Sequence, residues 1–147
     1  MRSLFCCTLK NDEGVSAIEF AIIAPVLLMI VTGVFQFGLA MNRYLNLTNA
    51  VAQGALTLAL SRGTTTPYTA TTAAISAAAP NLAPANTTIT VRINGTACTT
   101  DVTCSAALIA GQPAFVRATY PCNLTVMGVN YAPSGCTLSA QTTQMIQ

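Results

Sequence analysis

Apolar side chains fill residues 20–39 almost without interruption, only Thr32 and Gln36 being polar, and no charge occurs anywhere in residues 20–42. Twenty helical residues rise about 30 Å, the thickness of a bilayer's hydrocarbon core. In lipid every backbone amide must find a partner within its own segment, so the pattern predicts one spanning helix. Pro25 removes one helical hydrogen bond and predicts a kink, which membrane helices tolerate. The competing reading is a helix buried in a soluble core, but uncharged runs of this length are rare in small soluble domains.

The pattern then changes without a break. Asn42, Asn46, Asn49, Gln53 and Thr57 recur at three- and four-residue spacings, and so do Tyr44, Leu47, Val51, Ala55 and Leu58. These are two faces of one amphipathic helix, continuous with the apolar one. Ser61-Arg62-Gly63 reads as its stop, a basic residue in the last turn and then Gly. A helix over 16–60 would be roughly 65–70 Å long. Its polar stripe reads as a solvated face, with a partner surface as the alternative.

Beyond it, residues 64–68 read as a loop with Pro67, and the Ala-rich stretch 69–79 as a short helix ending before Pro80. Residues 81–86 read as a Pro-containing connection. Residues 87–93 alternate with period two and predict a strand, followed by the turn pair Asn94-Gly95. A second strand is expected over 114–120, closed by Pro121, and a third over 124–129. Residues 137–145 suit either a fourth strand or a terminal helix. The expected fold class is therefore α+β: a long N-terminal transmembrane helix extending into a small periplasmic domain with a short helix and a three- to four-stranded antiparallel sheet.

Composition narrows the chemistry. A chain of 147 residues holds one small domain and an anchor. Only 7% of residues are charged, against roughly 25% in ordinary soluble domains. There is no His, which removes His-based acid–base and nucleophile systems and His-containing zinc sites. Six scattered basic residues and a net charge of +2 provide no basic patch for nucleic acid. No clustered acid/base pair, phosphate-loop motif or metal constellation is present. We therefore expect no catalytic residues, metal, cofactor or small-molecule substrate, and an enzyme is the weakest of the available readings.

Of six cysteines, Cys6 and Cys7 precede the apolar run, which is the wrong side for a lipoprotein signal, and read as reduced thiols. Cys98, Cys104, Cys122 and Cys136 lie in the C-terminal part. Their gaps of five, seventeen and thirteen residues suit neither zinc pairs nor a Cys-x-x-Cys redox site. Structural disulfides fit best, in any of three pairings. Cys98–Cys104 and Cys122–Cys136 are favoured because both close local loops, and the oxidising compartment they require places the domain in the periplasm. Four Asn-x-Thr triplets, at Asn46, Asn86, Asn94 and Asn123, are expected by chance in a Thr-rich chain.

The membrane boundary reads Gly14-Val15-Ser16-Ala17-Ile18-Glu19-Phe20. A carboxylate beside a spanning segment is unfavourable, so Glu19 either marks the boundary or has a function and a partner. Gly followed by Glu-Phe and an apolar run resembles the type III signal of type IV pilins, most closely the Flp and TadE branch of the tight-adherence (Tad) pilus system. Pro25-Val26-Leu27-Leu28, Gly33, Phe37-Gly38 and Asn49-Ala50-Val51-Ala52-Gln53-Gly54-Ala55 are similar to TadE-like proteins too.

That resemblance implies a processing motif of Gly14, Val15, Glu19 and Phe20. A prepilin peptidase would cut between Gly14 and Val15, making Glu19 the fifth mature residue and giving three segments. Residues 1–14 would be a cytoplasmic leader, 15–62 the transmembrane and extended helix, and 63–147 the disulfide-bonded periplasmic domain. The new ammonium of Val15 and the Glu19 carboxylate of a neighbouring subunit would register subunits. The implied role is that of a minor pilin or pseudopilin in the inner membrane, or in the pilus itself. Its implied partners are the peptidase, other Tad/Flp pilins, inner-membrane assembly proteins and the lipid bilayer. A TadE role and a TadF role stay open alike. The alternative is a periplasmic binding or structural module unrelated to pili, either membrane-anchored or released by signal peptidase. Gly38-Leu39-Ala40 has the small-x-small pattern for such release, which would start the mature chain at Met41.

Overall fold

The computed structural model describes residues 12–126 and 128–147, with side chains of residues 12–15 and 126 left aside. Cys6, Cys7 and most of the expected leader lie outside the described residues. Helix α1 (Asp12–Leu60) runs unbroken through Pro25, and is followed by α2 (Pro67–Ala78) and a single 3-10 turn (Pro84–Asn86). Strands β1 (Thr88–Ile93) and β2 (Thr96–Cys98) precede α3 (Asp101–Ala107). Strands β3 (Pro113–Pro121), β4 (Thr125–Val126), β5 (Val129–Asn130) and β6 (Thr137–Met145) complete the chain. The fold class is α+β, as expected.

The sheet is antiparallel in the order β2-β1-β3-β6. Asn94 (φ 49°) and Gly95 (φ 79°) join β1 to β2. Positive φ at both central residues suits the twist of paired strands, and Asn-Gly is the pair that best tolerates it. One face of the sheet carries Val91, Ile93, Ala114, Val116, Ala118 and Ala140, all buried. Small residues on β3 let α1 lie close across that face. Helix α1 packs on α2, β3 and β6, presenting Leu47, Ala50, Val51, Ala55 and Leu58 to the core. Positions three and four apart share a helix face, so the apolar stripe read from the sequence is the packed one. Asn49 and Gln53 are exposed on the other side.

Local readings needed correction at several places. Arg62 does not lie in the last turn of α1, which ends at Leu60, although Gly63 does follow with φ 79°. Helix α2 starts at Pro67, inside the expected loop, because Pro is well suited to a first helical turn that needs no amide donor. Residues 124–129 do not join the main sheet. They form β4 and the start of β5, a separate two-stranded hairpin. Residues 137–145 are a strand, paired along all of β3.

Strand β2 and helix α3 were not foreseen. The Thr100 hydroxyl accepts from the Thr103 amide, the Thr103 hydroxyl accepts from the Thr100 amide, and Asp101 sits in the first turn. That reciprocal capping satisfies amide donors at the helix start, where a helix of seven residues has little else to hold it.

Candidate functional site

The bare half of α1 comes first. From Ile18 to Phe37 every large apolar residue is more than half exposed, with Phe20 at 70%. Residues 16–60 of the helix are long and apolar enough to cross a membrane, and none of the apolar window is buried within the chain. The core-helix reading therefore fails. Burial on α1 begins only at Leu47, where the domain starts to cover it.

Gly14 and Val15 lie in the first turns of α1, and Glu19 one turn further on is exposed. The helix rises about 1.5 Å per residue, so Glu19 sits about 6 Å along the axis from Val15. Thr32 donates its hydroxyl proton to the Leu28 carbonyl oxygen at 2.6 Å, so this polar side chain is satisfied inside the apolar run.

The four C-terminal cysteines fall into two pairs at disulfide distance. Cys98 and Cys104 have Cα atoms 5.1 Å apart and lie fully in the core, tying β2 to α3. Cys122 and Cys136 have Cα atoms 5.5 Å apart and close the loop that holds the β4–β5 hairpin. The Cys122 amide also donates to the Cys136 carbonyl at 3.1 Å. Among the described residues no group of three His, Cys, Asp or Glu side chains could hold a metal ion.

Helix α3 is held to α2 by Asp101. Its carboxylate accepts from the Thr69 amide at 2.8 Å and from the Thr69 hydroxyl at 2.6 Å. These bonds, the hydroxyl's foremost, stabilise the charged form and hold the Asp101 carboxyl below its ordinary value.

Sequence reasoning also missed two adjoining pockets. Phe37, Ala40, Met41 and Tyr44 continue the core-facing stripe of α1 beyond the sheet. Opposite them stand Leu124, Leu138 and the Cys122–Cys136 pair, enclosing a groove of about 350 Å³ with a wholly apolar lining. Tyr44, expected on the packed face, lines this groove and stays 38% exposed. A second, polar pocket of about 360 Å³ adjoins it through Cys122 and is lined by Arg43, Tyr120, Asn86, Asn123 and Asn130. The only advance signal was Arg43 itself, the first charge after the uncharged run.

Neither the curated proteins nor the solved structures hold a match to this chain. The family model described as TadE-like protein does match, over residues 14–56. That stretch takes in the whole bare helix and most of its packed half, so the similarity to TadE-like proteins lies on α1 and starts at Gly14, within the helix's first turn.

Proposed function

We propose that this protein is a minor pilin or pseudopilin acting in assembly of a Tad-type (Flp) pilus or a related secretion apparatus. A prepilin peptidase removes residues 1–14. The apolar half of α1 anchors the chain once in the inner membrane, with its N-terminus cytoplasmic, and residues 63–147 form a disulfide-bonded periplasmic domain. The role is one of assembly, not catalysis, and the partners are other Tad pilins and inner-membrane assembly proteins.

The observation that carries this reading is the TadE-like match, which opens at the same Gly14 as the processing motif and runs along a helix whose first half nothing in the domain covers. The bare apolar face suits lateral packing, first against lipid and then against sister helices. Cleavage would give Val15 an ammonium about one turn from the Glu19 carboxylate. In a low-dielectric bundle a carboxylate needs a cation, and loss of one partner of a buried pair costs about 3–5 kcal/mol. A pair formed between neighbouring subunits would therefore fix their axial register.

N-terminal sequencing of the protein isolated from cells tests the proposal. A chain beginning at Val15 is expected. One beginning at Met41 would instead be the soluble product of signal peptidase, and one beginning at Met1 would be an unprocessed anchor.

A further inference from the structure

The apolar groove and the Arg43 pocket lie side by side where α1 leaves its bare half, and each lacks something the other supplies. On the membrane-anchor reading, on which this inference rests, residues 20–39 cross the hydrocarbon. Phe37 then lies just inside its edge and Tyr44 about 7 Å beyond Leu39, so the groove runs from the hydrocarbon into the headgroup layer. Acyl chains are the most abundant apolar groups at that depth.

Arg43 is half-buried at headgroup level, where a guanidinium favours an anion. Of the chain's carboxylates, Glu19 and Asp101 are poorly placed to serve. Glu19 is about 36 Å away along the helix, and Asp101 is engaged by Thr69. The amide groups of Asn86, Asn123 and Asn130 add hydrogen-bond donors to the same pocket. A guanidinium with amide donors, beside an apolar slot, matches a phosphate joined to a hydrocarbon chain.

We propose that an anionic phospholipid from the leaflet on the domain's side occupies this pair of sites, one acyl chain lying along Phe37, Met41 and Leu138 and the phosphate against Arg43. The bound lipid fills the stripe of α1 that the sheet leaves open and ties the Cys122–Cys136 loop to the membrane surface.

The test uses the full chain in nanodiscs of equimolar phosphatidylcholine and phosphatidylglycerol, released and weighed by native mass spectrometry. The phosphatidylglycerol adduct is expected to exceed the phosphatidylcholine adduct about fivefold, the preference one arginine near a surface confers. Arg43→Gln should bring the ratio to unity, while Arg117→Gln, on the open face of the sheet, should keep it. Ala40→Trp should fill the groove and lose both adducts, while the variant still sediments with vesicles after a carbonate wash. Equal adducts in the parent, or a preference that survives Arg43→Gln, would overturn the inference and leave the anchor reading standing. A photo-cross-linker placed at Met41 that captured a second copy instead of lipid would overturn it too. A parent chain that fails to sediment with vesicles would remove the anchor reading and this inference together.

Discussion

Gly54 of α1 and Ile75 of α2 fill one space between them. A Cβ added at Gly54 would lie 2.7 Å from Ile75 Cδ1, closer still to Cγ1, and 3.5 Å from the Thr71 carbonyl oxygen. Both residues are buried, so the isoleucine has nowhere free to turn. Gly costs a helix interior about 1 kcal/mol relative to Ala, and here the loss secures the closest approach of two helices. Gly54→Ala should recover that propensity but incur about 1–3 kcal/mol of overpacking, a net loss of stability in denaturant titration. In an Ile75→Ala background the same change should be neutral or stabilising, and the double-mutant cycle reads the difference. Equal losses in both backgrounds would remove Ile75 as the cause.

Asp101 should make the α2–α3 junction sensitive to acid. Its carboxyl titrates below the ordinary value of 3.8 because the Thr69 hydroxyl and amide bind the charged form. A group depressed on folding adds stability that is fully present above its unfolded value and is lost as pH falls through its folded one. The parent protein should therefore melt higher than Asp101→Asn at about pH 6, and the two should converge toward about pH 2. A gap that stays constant over that range would mean the carboxylate's charge is irrelevant.

The two cysteine pairs should differ in what their loss does. Cys98 and Cys104 are fully buried in the core, so replacing both with Ser removes a cross-link and leaves hydroxyls among apolar neighbours. We expect a loss in the range of about 2–5 kcal/mol. Cys122 and Cys136 are only half-buried. Their replacement should loosen the β4–β5 loop, seen as faster hydrogen exchange at the Tyr131 amide that bonds the Leu124 carbonyl, with a smaller effect on global unfolding. If the second double variant unfolds as readily as the first, the loop is part of the core's cooperative unit.

Processing and assembly should separate genetically. A bulky residue in place of Gly14 should block cleavage and leave the precursor in the membrane, measured by its apparent mass. Glu19→Ala should be cut nearly normally and yet fail to join assemblies recovered from the cell surface or from cross-linked membranes. Normal incorporation of that variant would count against the amine–carboxylate pair.

What could be read in advance followed from local periodicity. Leu47, Val51, Ala55 and Leu58 were placed on one face by spacing alone and are all fully buried. The strand ending at Ile93 and the Asn94-Gly95 turn were equally legible, since alternation and positive φ are properties of a few adjacent residues. Helix α3 was not, because seven residues carry too little periodicity, and its reality rests on a threonine cap and on Cys104 reaching Cys98. The hairpin over residues 125–130 escaped for a similar reason. Its strands are two residues each, and Asn130 holds the loop by accepting from the Leu124 and Ala132 amides through its side chain.

By itself, the sequence determined the bare apolar helix, its amphipathic continuation and the Gly14–Glu19 motif, because each is written in residues that are neighbours along one helix. Only the tertiary structure decided which strands share the sheet, that Gly54 meets Ile75, and that Arg43 and Phe37 face a loop some eighty or more positions away. Those relations depend on distances through space between segments remote in the chain, and no repeat of three, four or two residues encodes them.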